Sequence, residues 1–531
     1  MKELSTCYRR RPTVAVKVGS AVIGGDAPVL IQSMTNTATL DTDASVAQIE
    51  SLARAGAGLV RLTAQGVSHA RNLHDIVERV HRDGYDVAIS ADIHFNPAAA
   101  FEAALHVDKV RINPGNFVDP ARTFKKLSYT DEEYAAETAR IETALIPLLE
   151  RCSKHDTALR LGVNHGSLSD RIMSRFGDTP EGMVESAMEF LRVCRKHDFN
   201  RVVISIKSSN VTVMVATVRL LVKAMEAEGM SYPLHLGVTE AGDGDDARIK
   251  SAVGIGSLLA DGIGDTIRVS LAEAPENEIP VAKCILDHIG GMGSETGEST
   301  LHVSVPELLP PVHQSVPMVA NFDIPEDLLA EKFVTLRASG PKSLYLLRQK
   351  ASELASSGIS SRQAYVAVSY PGNMSAEEVR IAASIDFGAL ILGGFVPAAI
   401  DIDAPTLNSE EKSQLALDIL QATRLRFSKT EYIACPGCGR TLFNLSDTLH
   451  RVREATKHLK NLKIGVMGCV VNGPGEMADA DYGYVGAAAG KVSLYKGKKC
   501  IRQNIPTEDA VAELIALIRE GGDWSEPGDT K

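Results

Sequence analysis

From residue 29 to residue 290 short apolar runs rich in β-branched residues alternate with longer stretches whose apolar positions recur every three or four residues. The first pattern suits strands buried on both faces and the second suits amphipathic helices, so the alternation predicts parallel βαβ units. Eight strands are expected, at Val29–Met34, Leu59–Thr63, Val87–Ala91, Lys109–Asn113, Leu159–Val163, Val202–Ile206, Leu234–Val238 and Thr266–Ser270. Between them helices are expected at Thr42–Arg54, Thr179–His197 and Val211–Glu228. Eight strands close a barrel, so the fold class is α/β with a (β/α)8 TIM-type barrel. An open doubly wound sheet is the second choice, weakened because no Gly-x-Gly-x-x-Gly opens the first helix.

After Gly290 the texture changes to Gly291-Met292-Gly293-Ser294-Glu295 and a passage holding Pro306, Pro310, Pro311, Pro317 and Pro325, which marks a boundary. Residues 291–428 show further short patterns, among them Tyr365–Ser369 and Ala389–Leu392, and no cluster of chemically suggestive groups. From Lys429 come grouped cysteines, several glycines and a closing helix at Glu508–Arg519. The expected organisation is a barrel over 1–290, an inserted α/β spacer over 291–428, and a small α+β domain over 429–531.

A chain of 531 residues, 44% hydrophobic and 23% charged, can bury more than one core. Its net charge of −11 argues against nucleic acid as a partner, so any basic site must be local. Met1–Gly19 carries no apolar signal core, and the longest apolar stretch, Gly388–Ile400, is broken by Pro397 and too short to span a membrane. Of 8 cysteines, Cys7, Cys152, Cys194, Cys284 and Cys500 stand alone, while Cys435, Cys438 and Cys469 are grouped. That distribution fits a metal site in a reducing compartment, and the expected location is cytoplasmic.

In such barrels the working groups sit where strands end and βα loops begin. Those positions hold Arg61, Asp92 with His94, Arg111 with Asn113, Arg160 with Asn164, Lys207, Glu240, and Arg268 with Ser270. Five cations, Arg61, Arg111, Arg160, Lys207 and Arg268, are thereby aimed at one mouth, where repulsion and desolvation are costly unless an anion binds. The arginine fork matches phosphate oxygens, which favours a diphosphate. Asp92 and Glu240 are the candidate proton-transfer groups, Glu240 the stronger of the two.

Cys435-Pro436-Gly437-Cys438 places two thiolates on one turn, and Cys469 follows in Gly468-Cys469-Val470-Val471-Asn472-Gly473-Pro474-Gly475-Glu476. Zinc ribbons and [4Fe-4S] clusters take four ligands. Cys500 would complete an all-cysteine zinc ribbon; Glu476 would give a weaker fourth ligand, suited to a cluster with one exchangeable iron.

The motifs Gln32-Ser33-Met34-Thr35-Asn36, Ala91-Asp92-Ile93-His94-Phe95, Arg111-Ile112-Asn113-Pro114-Gly115-Asn116 and Gly162-Val163-Asn164-His165-Gly166-Ser167 resemble those of the 4-hydroxy-3-methylbut-2-enyl diphosphate synthase family. So do His235-Leu236-Gly237-Val238-Thr239-Glu240-Ala241-Gly242, Gly264-Asp265-Thr266-Ile267-Arg268-Val269-Ser270 and the cysteine segments. Together the matching segments span about residues 8–290 and 429–505. His165, Lys429-Thr430-Glu431-Tyr432 and Met477-Ala478-Asp479-Ala480-Asp481 resemble the extended three-domain form of that family, with an insert shorter than in plants.

The resemblance implies an iron-sulfur oxidoreductase of the non-mevalonate isoprenoid pathway. In that reaction 2-C-methyl-D-erythritol 2,4-cyclodiphosphate is opened, dehydrated and reduced by two electrons. The resemblance also implies a [4Fe-4S] cluster on Cys435, Cys438, Cys469 and Glu476. It puts Arg61, Arg111, Asn113, Arg160, Asn164, Lys207, Arg268 and Ser270 in the substrate site, and gives catalytic roles to Asp92, Glu240 and Glu476. The alternative is a diphosphate-binding barrel synthase with a structural zinc ribbon.

With no nucleotide fingerprint of its own, the chain is expected to take electrons from ferredoxin or flavodoxin. The cationic segment His450–Lys463, with Arg451, Arg453, Lys457, Lys460 and Lys463, is a candidate docking face. The spacer is expected to let the cysteine domain close over its own barrel, making a monomer competent, with a homodimer the other possibility.

Overall fold

Val16–Val18 (β1) and Ala21–Ile23 (β2) form an antiparallel hairpin. Val16, Val18 and Ile23 pack on Leu59, Ala88, Ala158 and Val203, residues at the starts of barrel strands, so the hairpin plugs the barrel floor. We describe here a computed structural model covering residues 6–118, 128–294, 298–312, 316–470, 473–477 and 479–527.

The barrel strands are Leu30–Met34 (β3), Leu59–Thr63 (β4), Ala88–Asp92 (β5), Lys109–Ile112 (β6), Ala158–Asn164 (β7), Val202–Lys207 (β8), His235–Leu236 (β9) and Thr266–Ile267 (β10). They are parallel in the order β8-β7-β6-β5-β4-β3-β10-β9, and a bridge between Ile204 and Leu234 closes the ring. All eight expected strands are present, the last two shorter than the apolar runs suggested. Asp92 lies opposite Arg111, Arg111 opposite Arg160, and Met34 opposite Arg61. Residues level with each other on parallel strands face the same side, so this register forces the charged residues into one layer.

The helices Thr42–Ala55, Pro180–Lys196 and Val211–Ala227 also stand where the periodicity put them, capped at their N-termini by Asp41, Thr179 and Asn210. No helix among the described residues is long and apolar enough to cross a membrane.

Two compact units emerge. One comprises residues 12–243, 264–282 and 430–531, the barrel with the cysteine lobe. The other comprises residues 1–11, 244–263 and 283–429.

The latter holds a sheet of Thr300–Ser304 (β11), Met318–Val319 (β12), Val334–Ser339 (β13), Ala364–Ser369 (β14) and Ala399–Asp403 (β15), ordered β11-β13-β14-β15-β12. Only β11 is antiparallel. The helix Gly244–Ala260, which follows β9 in the chain, packs within this unit on the helix Ala376–Leu392. Two glycines permit the close approach: a Cβ at Gly256 would lie 2.4 Å from Ile385, and one at Gly388 would lie 2.9 Å from Val253.

The cysteine lobe is a sheet of Glu431–Ala434 (β16), Lys463–Met467 (β17), Tyr482–Ala488 (β18), Lys491–Lys496 (β19) and Lys499–Pro506 (β20), in that order. Helices Leu445–Thr456 and Ala510–Glu520 bury Leu449, Val452, Leu514 and Ile518 against it. The lobe sits on the barrel of its own chain. Ala434 pairs with Ala241, its carbonyl accepts the Gly242 N–H at 3.3 Å, and Arg453 forms an ion pair with Asp243. At a second point backbones touch without side chains between them: a Cβ on Gly166 would fall 2.2 Å from the Gly475 carbonyl carbon.

Candidate active site

The strand ends of the barrel and the Cys435–Thr441 loop enclose one cavity of about 800 Å³, counting its opening. Arg61, Arg111, Arg160, Lys207 and Arg268 line it together with Asp92, Asn164, Glu240, Ser270 and all three grouped cysteines. Of the sequence-derived candidates, Asn113 does not line it. Its side-chain oxygen instead accepts the Gly115 N–H at 3.2 Å, capping the short helix that follows β6. The side chain of Glu476 lies outside the described residues.

The five cations are not equivalent. Both terminal nitrogens of Arg111 are engaged: Nη1 donates to Asp92 Oδ1 at 2.9 Å and lies 3.1 Å from His94 Nδ1, while Nη2 donates to the Gly162 carbonyl and to Asn164 Oδ1, both at 2.7 Å; its Nε has no partner among the described residues. Arg268 forks onto Glu278 at 2.8 and 3.1 Å, and Glu278 is held in turn by the Ser33 hydroxyl at 2.8 Å. Arg61 donates through Nε and Nη2 to the sulfur of Met34 at 3.2 and 2.8 Å, a weak acceptor that a phosphate oxygen outcompetes.

Arg160, buried to 1% exposure, has Nε and Nη1 without a hydrogen-bond partner among the described residues. Burial drives its pKa well down, and Arg61 and Arg111 add to the shift. Lys207 is lowered for the same reasons, burial first and then Arg61, Arg160 and Arg268. Arg61 falls to about 10 through burial, despite the pull of Asp92. A group of cations this depressed is a site prepared for negative charge, because a bound polyanion would return the lost Coulomb energy to each of them.

Burial alone would raise Asp92, but Arg111, Arg61, Arg440 and Arg160 outweigh it and hold the carboxyl well below the ordinary range. In this arrangement Asp92 is ionised and orients Arg111. Glu240 is buried and adopts a left-handed backbone, φ +50°, which costs a non-glycine residue about 1–2 kcal/mol and marks a position held by its surroundings.

Cys435 Sγ accepts the Gly468 N–H at 3.3 Å, which ties the first cysteine turn to the segment carrying Cys469. Burial pushes this thiol up to about 12, against that hydrogen bond and with the charge of Glu240 adding to the rise. Such a thiol becomes a thiolate only beside a metal. Among the described residues no three His, Cys, Asp or Glu side chains converge on a single ion. An iron-sulfur cluster takes one thiolate per iron and needs no such convergence, so three soft donors around one cavity fit it. Cys500 stands on β20, opposite Tyr495, bonded to the Arg502 carbonyl at 3.7 Å, and is not among the described residues that line the cavity.

Several lining or supporting residues were not singled out in the sequence. Met34, Ser205 and Thr239 line the cavity, and Glu278 with Ser33 backs Arg268. Arg440, from the cysteine lobe, reaches down to donate to the Asp92 carbonyl at 3.3 Å. Its position directly after Cys438-Gly439 was the one available signal.

A family model described as the GcpE TIM-barrel domain matches residues 13–283, and one described as the GcpE protein C-terminal domain matches residues 431–520. A Phocaeicola vulgatus protein named 4-hydroxy-3-methylbut-2-en-1-yl diphosphate synthase (flavodoxin) is 47% identical, with 98% of this chain and 99% of the relative covered. Proteins of the same name from Bacteroides fragilis, 48% identical over 98% of this chain and 97% of the relative, and from Porphyromonas gingivalis, 46% identical over 98% and 99%, match comparably.

Proposed function

Because the chain belongs to the 4-hydroxy-3-methylbut-2-en-1-yl diphosphate synthase family, we propose that the cavity between its barrel and cysteine lobe is where that family's chemistry takes place. The protein is an iron-sulfur oxidoreductase. It opens the ring of 2-C-methyl-D-erythritol 2,4-cyclodiphosphate and converts it, with two electrons, two protons and loss of one water, to the allylic diphosphate of the isoprenoid pathway.

The observation that carries the substrate assignment is Arg160, whose buried Nε and Nη1 lack partners among the described residues while facing the cavity. Phosphate oxygens would satisfy them, with Lys207 and Arg61 as further donors and Arg268 preset by Glu278. Arg111 contributes charge but keeps its protein partners, so it fixes the wall of the site. Asn164 and Ser270 orient the hydroxyl groups of the opened chain. Asn113 supports the loop after β6 from behind the cavity. Asp92 keeps Arg111 in place, and Glu240, poised between the cations and Cys435, gives a proton to the oxygen that leaves as water.

Cys435, Cys438, Cys469 and Glu476 would hold a [4Fe-4S] cluster, with Glu476 the replaceable ligand. When bound, the cluster supplies electrons singly to the carbon that loses its oxygen. Flavodoxin, the donor specified in the relatives' names, is the electron source, with ferredoxin the nearest substitute. The barrel over 1–290 and the cluster domain over 429–531 then form a complete site in one chain with 291–428 as spacer, so a monomer is competent. The Ala241–Ala434 bridge supports this.

Anaerobic purification, iron and acid-labile sulfide analysis, and turnover of the cyclodiphosphate with reduced methyl viologen test the assignment. A colourless protein with stoichiometric zinc, or no allylic diphosphate formed, would refute it.

A further inference from the structure

The loop that carries Cys435 and Cys438 crosses the barrel mouth and is moored at both ends. At the first end Ala434 pairs with Ala241, backbone to backbone, in the chain that follows β9. At the other end Gly439 lies against the rim, where a Cβ would fall 2.6 Å from the Thr37 carbonyl oxygen and 2.9 Å from Thr63 Oγ1. Exposed Gln65 donates to the Gly439 carbonyl at 3.3 Å. Arg440 then reaches the end of β5: Nη2 donates to the Asp92 carbonyl at 3.3 Å, and Nη1 stands 4.0 Å from Asp92 Oδ2. In the closed ring β9 and β5 face each other, with three strands between them on either side, so the moorings lie on opposite sides of the mouth.

The two moorings differ in kind. The first is made by main chain, whereas the second depends on side chains, and its one charged member stands two residues from Cys438. Between Cys438 and Arg440 there is little slack. The Thr441 N–H closes a turn on the Cys438 carbonyl at 2.9 Å, and the Cys438 N–H donates to Thr441 Oγ1 at 3.0 Å. The Asp92 carbonyl also takes the Ala64 N–H at 3.1 Å, and its second lone pair receives Arg440. Asp92 is fixed in turn, since its Oδ1 accepts from Arg111 at 2.9 Å. A continuous set of contacts thus runs from the substrate wall through Asp92 to the cysteine loop.

Only 8% of the Arg440 side chain is exposed, and it adds a sixth cation to a cavity where acids are already outnumbered. Burying it there is a poor way to gain stability. What a guanidinium offers is direction: a planar fork with both tips on one residue admits fewer arrangements than a flexible ammonium.

We infer that Arg440 is a positioning residue for the reaction: by straddling Asp92 it sets where Cys438, and the metal centre that Cys438 helps to hold, stands above the substrate. Delivery of electrons to the reacting carbon depends on that separation, whereas substrate affinity resides in the barrel cations. The inference rests on the reading of the cysteine lobe as the holder of the cluster.

The test compares the parent with Arg440→Met, Arg440→Lys and Gln65→Ala. For each holoenzyme iron and sulfide are counted, and kcat and KM for the cyclodiphosphate are measured with reduced methyl viologen. Hydrogen exchange over residues 437–442 is followed in the full chain before cluster loading. Arg440→Met is expected to lose about tenfold or more in kcat, with KM within about twofold of the parent and iron at the parental level. Its loop amides should exchange about tenfold faster. Arg440→Lys, which keeps one donor for the carbonyl, should fall between the two, and Gln65→Ala should lose about threefold in kcat. Should Arg440→Met fail to fold, the other two variants decide.

Parental kcat in the Arg440 variants would overturn the inference. Loss of iron would also overturn it, by making Arg440 necessary for holding the centre and not for placing it. So would a raised KM with kcat intact, which would make Arg440 a substrate ligand. A parent that carries iron but does not turn over the cyclodiphosphate would instead refute the functional reading; exchange would still judge the mooring, and unchanged exchange in Arg440→Met would overturn it.

Discussion

Arg160 of the barrel and Arg348 of the five-stranded sheet's unit are both fully buried guanidinium groups, each with Nε and Nη1 unpartnered among the described residues, but Nη2 of Arg348 pairs with Asp261 at 2.9 Å whereas no ion pair to Arg160 occurs among the described residues. The contrast extends to their surroundings. In the sheet unit Lys429 sits between Asp246 and Asp418 at 2.6 and 2.7 Å, and Asp386 accepts from Tyr370 at 3.0 Å and lies 3.0 Å from His288. In the barrel mouth cations outnumber acids, and Arg160 and Lys207 are driven down by burial and by neighbouring cations, Arg61 first among them. Two regions assembled from the same strand and helix repeat thus differ in whether their buried charge is settled internally. Settled charge holds a fold together, whereas unsettled charge awaits a ligand.

The strongest test of where the chemistry lies is removal of the thiols. Cys435→Ala, Cys438→Ala and Cys469→Ala should each lose bound iron and sulfide and all turnover, whereas Cys500→Ala should keep both; metal analysis and the visible spectrum report the outcome. Next, Arg160→Met should weaken diphosphate binding by about 2 kcal/mol, or about thirtyfold, with urea stability unchanged or higher because a buried unpaired charge is gone. Arg348→Met should do the reverse, losing about 2 kcal/mol of stability and sparing substrate affinity. If both variants behaved alike, the distinction between settled and unsettled charge would collapse.

A third test uses acid. Burial, reinforced by Arg111 for His94 and by Arg160 and Lys207 for His235, holds both imidazoles well below their ordinary value of 6.5. Below that pH the unfolded chain takes up protons that the folded barrel refuses, so the unfolded state is favoured. Stability should fall by about 1.4 kcal/mol per pH unit for each histidine as pH drops below 6.5, read from urea midpoints between pH 7 and 5.5. A flat profile would mean that the cation crowd does not reach these rings.

The smallest effect lies in the sheet unit. At Gly256→Ala the clash with Ile385 costs about 2 kcal/mol and alanine's helix propensity returns about 1, leaving a net loss of about 1 kcal/mol in thermal melts with unchanged substrate affinity.

The barrel was legible because each strand is buried on both faces and reads as an apolar run, and because one polar residue at each end breaks the run. β9 and β10 pair over only two residues each, since the chain beyond Leu236 and Ile267 leaves the ladder to form the mouth. Periodicity does not register that departure. Glu278 was invisible for a different reason. It opens the helix Glu278–Gly293, where an acidic first-turn residue ordinarily faces solvent, and only the tertiary fold turns it onto Arg268. In the same way Ala389–Leu392 reads as a short separate pattern, whereas it is the last turn of the helix Ala376–Leu392, in which Gly388 is a packing notch against Val253. The grouping of Gly244–Ala260 with residues 283–429 depends on contacts between distant segments, which no local pattern carries.

The bare backbone contact of Gly166 with Gly475 bears on how long the enzyme survives in air. Backbone meets backbone at this point of the seam, and a single added methyl on Gly166, 2.2 Å from the Gly475 carbonyl carbon, acts as a wedge. Gly166→Ala would leave the seam ajar, letting oxygen reach the metal centre. Its first symptom would be a preparation that bleaches on the bench faster than its parent while melting at the same temperature.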